Sequence, residues 1–158
     1  MKILYICTHN RCRSILCEAI TQSRAAGLIE ARSAGSQPAG AVHPLSLHYL
    51  AEAGYDTQHL TSQSWDEFED FAPDIVITVC DSAAGESCPV WFGRTLKVHW
   101  GLEDPSKLNG SEAEVAAAFR ATIALIEQRV DALIELAQLD SAQWPDALTA
   151  LGAQHDHH

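Results

Sequence analysis

Residues 2–16, KILYICTHNRCRSIL, decide how this chain folds. Residues 2–6 have the length and apolar content of a short buried strand. The run stops at Cys7, and polar residues follow as far as Arg13. Ser14 is then the expected N-cap of a helix, with Ile15, Leu16, Ala19 and Ile20 at helical spacing and Gly27 near its end. A strand that enters a helix through a short polar loop brings the loop N–H groups and the helix N-terminus to one spot, which suits an oxyanion. Arg13 adds a planar fork for two oxygens, and the same positive field favours a thiolate at Cys7. Asn10 tolerates the left-handed backbone that would fold such a loop inward, and Ser14 has a hydroxyl to offer the thiolate. Cys7 is therefore the candidate nucleophile. Thr8, His9, Asn10, Arg11, Cys12, Arg13 and Ser14 are the candidate oxyanion seat.

Outward from this loop the pattern alternates. A weaker strand is expected over 29–35, a helix over 44–53 stopped by Gly54, and a short helical turn over 65–71. The β-branched run DIVITVC, 74–80, is the strongest strand signal and reads as a parallel strand covered on both faces. A further strand is expected over 96–100. A long helix follows over 112–137, where Val115, Phe119, Ile123, Ile126, Val130, Leu133 and Ala137 step by threes and fours. The order predicts an α/β domain with a mostly parallel, four-stranded sheet. Sites in such sheets lie beyond the carboxyl ends of the strands. Cys7, Cys80 and Asp104 all fall at that edge.

Bulk properties narrow the function classes. The chain has 158 residues, 47% hydrophobic and 20% charged, which fits one globular domain with a proper core. A formal charge of −11 argues against nucleic acid but leaves room for a small anion in a local positive pocket. Neither a membrane span nor a signal peptide is visible, so a cytoplasmic setting is expected. There the five cysteines, Cys7, Cys12, Cys17, Cys80 and Cys88, would rest as thiols.

CTHNRCRS, 7–14, resembles the phosphate-binding loop of the low-molecular-weight protein tyrosine phosphatase family and of the arsenate reductases that share its fold. EDPS, 103–106, resembles that family's Asp-Pro element. The resemblance covers about residues 1–137 and leaves 138–158 as a C-terminal extension, partly disordered. It implies a flavodoxin-like, phosphotyrosine phosphatase I-like three-layer sandwich with sheet order 2-1-3-4, Cys7 as nucleophile and Asp104 as general acid. The sequence departs from the pattern at His9, where the family usually has Gly, and at Arg11, which replaces a small residue and adds charge at the rim.

Two features separate reductase from phosphatase. Aryl phosphatases of this family carry aromatic residues straight after Asp-Pro, whereas Ser106 and Lys107 stand here and no aromatic follows before Phe119. Cys80 and Cys88 bracket a small polar loop that resembles the redox loop of the arsenate reductases. The resemblance thus implies arsenate reduction through Cys7, Cys80 and Cys88, with phosphate or sulfate as substrate analogues, thioredoxin or glutathione/glutaredoxin as reductant, and no cofactor or metal. The alternative within the family is a phosphatase. A thiol sensor outside it would have no use for Arg13 or Asp104. Cys12 is expected to pack within the loop and Cys17 in the core. Glu18 and Ser33 match positions that support the loop Asn in some relatives, occasionally with potassium, and the tail histidines His155, His157 and His158 are expected to be solvated.

Overall fold

The computed structural model describes residues 1–68, 70–79, 96–100, 102, 105–107 and 109–148. Four strands, β1 (Lys2–Ile6), β2 (Glu30–Ala34), β3 (Ile75–Thr78) and β4 (Leu96–His99), form one sheet of order β2-β1-β3-β4. Every neighbouring pair is parallel, with Ile3 opposite Ala31 and Ile75, and Ile75 opposite Leu96. This is the expected order. Ile3, Leu4, Tyr5 and Ile6 are buried in succession, so both faces of the sheet are covered at β1. That explains why β1 and β3 read as continuous apolar runs rather than as alternating ones.

Helix α1 (Arg13–Arg24) follows β1, α2 (Pro44–Glu52) follows β2, and α3 (Glu112–Ala137) closes the described core. Short 3-10 turns occupy Trp65–Phe68 and Pro105–Lys107. Proline at the first position of α2, with His43 Nδ1 accepting from Leu45 N at 3.1 Å, starts that helix where its N–H groups need partners. Ser111 caps α3 by accepting from Glu114 N at 3.2 Å, and Glu112 and Glu114 face the positive helix end. The stacked Tyr49 and Phe119 rings, 4.9 Å apart, join α2 to α3. Beyond α3 the chain still meets the core: Leu148 is buried, and Trp144 Nε1 donates to Leu139 O at 3.2 Å. Among the described residues no helix is long and apolar enough to cross a membrane.

One expectation is corrected at α1. The helix begins at Arg13 with Cys12 as N-cap, Leu16 N donating to Cys12 O at 2.9 Å, and Ser14 lies inside the first turn. The reason is the loop: the Ser14 hydroxyl accepts from the Asn10 side chain four residues earlier, so it does not cap its own helix.

Candidate active site

The sheet reverses its winding between β1 and β3, the place where open parallel sheets bind ligands beyond their carboxyl ends. Cys7 is the first residue after β1 there, buried, with its N–H donating to Ala34 O at 3.2 Å. Asn10 turns the chain with φ of 46°, the left-handed conformation read from the sequence. His9 does not share it; it is exposed, with Nδ1 3.1 Å from Gln37 O. Arg11 is exposed at the rim.

Backbone bonding shapes the loop. Thr8 O, His9 O and Arg11 O accept from Gln37 N, Ala39 N and His43 N, each at 2.9 Å. Because a trans peptide points its N–H opposite to its C=O, the amides of His9, Asn10 and Cys12 face away from the 37–43 segment. Gly35 makes this contact possible. A Cβ there would lie 2.6 Å from Thr8 O and 2.8 Å from Cys7 O. Gly35 reads from the sequence as no more than the end of a strand; the signal of its role is a glycine at the carboxyl end of the strand that pairs with β1.

A buried polar network backs the loop. Asn10 Nδ2 donates to Ser14 Oγ and Ser33 Oγ, both at 2.9 Å, and Asn10 Oδ1 accepts from Gln63 N at 2.7 Å. Ser33 Oγ donates to Glu18, which also accepts from Gln22 Nε2 at 3.2 Å. The expected support of the loop Asn by Glu18 and Ser33 is thus made by hydrogen bonds. Burial raises the pKa of the Glu18 carboxyl, opposed by the Ser33 hydrogen bond. Among the described residues no group of three or more His, Cys, Asp or Glu side chains is placed to hold a metal ion.

Arg13 stands half-buried at the start of α1, and its Nη1 donates to Leu102 O at 2.9 Å, tying the loop to the chain beyond β4. Cys7, Cys12 and Cys17 are thiols rather than disulfides. Cys12 and Cys17 are fully enclosed, as expected, and burial drives the Cys17 thiol far up, so it stays protonated. Asp104, Cys80 and Cys88 lie outside the described residues; of the described residues near them in the chain, Val79 N donates to Ile6 O at 2.9 Å and Leu102 N to Val79 O at 3.3 Å. Arg129, buried in α3, was also missed. Its spacing of three from Ile126 and four to Leu133 puts it on the apolar face of that helix.

A left-handed Asn, a buried Cys and an Arg around one strand–loop–helix turn at the switch point define an α/β protein with a cysteine loop beyond the carboxyl end of its first strand. Comparison with known proteins narrows the class. The family model of low molecular weight phosphotyrosine protein phosphatases matches residues 2–143, and the chain belongs to that family. An arsenate reductase of Halalkalibacterium halodurans is 32% identical over 133 residues, 84% of this chain and 94% of that protein. A glutaredoxin arsenate reductase of Synechocystis sp. is 31% identical over 84% of this chain and 95% of its own length. A solved structure of an arsenate reductase in the phosphate binding state, 29% identical, superposes with a TM-score of 0.70 over 85% of this chain and 96% of that one.

Proposed function

We propose that this protein is an arsenate reductase that converts arsenate to arsenite by a cysteine thiol–disulfide relay, as part of arsenic detoxification. The observation that carries this reading is the 32% identity running over 94% of the H. halodurans arsenate reductase. The site chemistry agrees with it. The amides turned away from the 37–43 segment and the Arg13 guanidinium bind the arsenate oxygens. The Cys7 thiolate attacks arsenic(V), and Asp104 protonates the departing hydroxyl, which leaves as water. Cys80 then attacks the Cys7 sulfur; the electron pair of the S–As bond stays on arsenic, which leaves as arsenite, and a Cys7–Cys80 disulfide remains. Cys88 attacks Cys80, releases the Cys7 thiolate and moves the disulfide to Cys80–Cys88. An external dithiol, or glutathione with glutaredoxin, returns both thiols, which requires a reducing compartment such as the cytoplasm. The Synechocystis relative favours the glutaredoxin route, whereas an internal Cys80–Cys88 pair suits a dithiol such as thioredoxin.

The deciding experiment is Cys80→Ser. Steady-state arsenate reduction is expected to vanish, while Cys88→Ser should complete one turnover and trap a Cys7–Cys80 disulfide detectable by mass spectrometry. Undiminished turnover in Cys80→Ser would put an external thiol in place of the relay. Full hydrolysis of aryl phosphates with no arsenate reduction would make the protein a phosphatase. Supplying thioredoxin with its reductase, or glutathione with glutaredoxin, identifies the reductant by which one sustains turnover.

A further inference from the structure

Among the described residues only Glu18 and Arg129 are acidic or basic side chains in the buried set. Glu18 is hydrogen-bonded on both oxygens. Arg129 is not: it is 7% exposed, and its Nε and Nη1 have no hydrogen-bond partner. Its guanidinium lies over the Trp100 ring, 5.5 Å from the ring centroid, a cation–π distance. The ring face compensates the charge in part and leaves those N–H groups unsatisfied. An aliphatic side chain of the same length would fill this place at lower cost. The nearby Cys17 thiol, held protonated by burial, gives Arg129 no anion to neutralise. What the guanidinium supplies that an aliphatic chain would not is a cation–π attraction to one ring.

That ring has a defined place. Trp100 follows β4 directly, its N–H donates to Thr78 O at 2.8 Å, and its ring packs on Tyr5 with centroids 5.8 Å apart. Two residues on, Leu102 N donates to Val79 O at 3.3 Å and Leu102 O accepts from Arg13 Nη1 at 2.9 Å. Two arginines from different helices therefore grip the chain leaving β4, one at Trp100 and one at Leu102. Asp104 comes two residues later.

We propose that Arg129 is a positioning residue for the proton donor: by holding Trp100 against the core it fixes the origin of the connection that delivers Asp104. This rests on the assignment of Asp104 as general acid in the proposed reaction.

The test compares Arg129→Met and Arg129→Lys with wild type, each alone and combined with Asp104→Asn, in single-turnover oxidation of Cys7 by arsenate. Arg129→Met is expected to slow this step roughly tenfold, the scale of a misplaced reacting group, with phosphate affinity changed less than about twofold. In the Asp104→Asn background the same substitution should cost less than about twofold, because two residues acting through one group are non-additive. Arg129→Lys, which keeps the cation, should recover part of the rate. Amide exchange of a peptide covering 100–104 should quicken in Arg129→Met while peptides of α3 keep their protection. An equal loss in both backgrounds, or unchanged exchange over 100–104, overturns the inference and leaves the function standing. Equal rates for wild type and Asp104→Asn would overturn the acid assignment and this inference together. A wild type that never reacts with arsenate would refute the proposed function, and exchange over 100–104 would still decide whether Arg129 holds the segment.

Discussion

The Cys7 loop is supported on two sides by polar groups of different character. Toward β2, Asn10, Ser14, Ser33 and Glu18 form a chain in which each side chain has a partner. Toward β4, the support is an arginine laid on a tryptophan ring and a second arginine bonded to a carbonyl. Directional hydrogen bonds can hold a backbone in a conformation it would not choose, such as φ of 46° at Asn10. A cation over a ring holds that ring by a less directional attraction and leaves its own polar atoms unpaired. The first side therefore sets the shape of the Cys7 loop, and the second holds the chain that leaves β4.

The comparison breaks most sharply at Asn10. Asn10→Leu removes three hydrogen bonds at once, leaves Ser33 and Gln63 N short of a partner, and puts a branched residue at positive φ. The expected loss is about 3–5 kcal/mol, combining backbone strain with orphaned polar groups. For a chain of this size that is a fall in Tm of roughly 10 °C or more, and phosphate should no longer raise Tm.

Gly35→Ala tests the same side through the backbone. The new methyl meets two backbone carbonyl oxygens that have no room to yield, Thr8 O at 2.6 Å and Cys7 O at 2.8 Å. An overpacking cost of about 1–3 kcal/mol is expected. Phosphate affinity, measured by calorimetry, should weaken about tenfold because the seat itself is displaced.

Glu18→Gln is milder and depends on pH. The folded-state pKa of Glu18 lies above its unfolded value because burial disfavours the charged form. Its contribution to stability is therefore full below the ordinary glutamate range and is lost as pH rises through the raised pKa. The difference in Tm between wild type and Glu18→Gln should follow that course, wild type gaining on the variant as pH falls. At low pH the variant should be less stable by about 1 kcal/mol, since its amide would meet the Gln22 amide donor to donor.

Arg24→Ala marks the floor of the comparison. Arg24 joins α1 to α3 through Asp131, with Nη2 to Oδ2 at 2.7 Å and Nε to Oδ1 at 3.1 Å, but both partners are exposed. Chemical denaturation should show a loss of about 0.5 kcal/mol and unchanged phosphate binding. A loss as large as that of Gly35→Ala would mean that solvent-exposed ties matter as much as the buried network.

Much of this site could be read from residues close together in the chain. The strand at 2–6, the left-handed Asn10 and the helix over 112–137 follow from local preference and periodicity, and the structure places all three as read. Ser14 was misread because a serine just before an apolar helical run is an ordinary N-cap, and nothing local says that Asn10 will claim its hydroxyl. Arg129 was overlooked because a basic residue on a helix is usually solvated, even though its spacing put it on the buried face.

The sequence by itself determined the alternation of strands and helices, the cysteine loop between β1 and α1, and the family to which that loop belongs, because each depends on residues within about one turn or one strand of each other. Tertiary structure alone decided that Gly35 lies under Cys7 and Thr8, that Ser33 and Glu18 complete the bonding of Asn10, and that Arg129 meets Trp100. Each of these joins separate elements of the fold. A hydrogen bond or a close approach is specified by where two elements meet, and that meeting is set by burial of the whole core rather than by either segment.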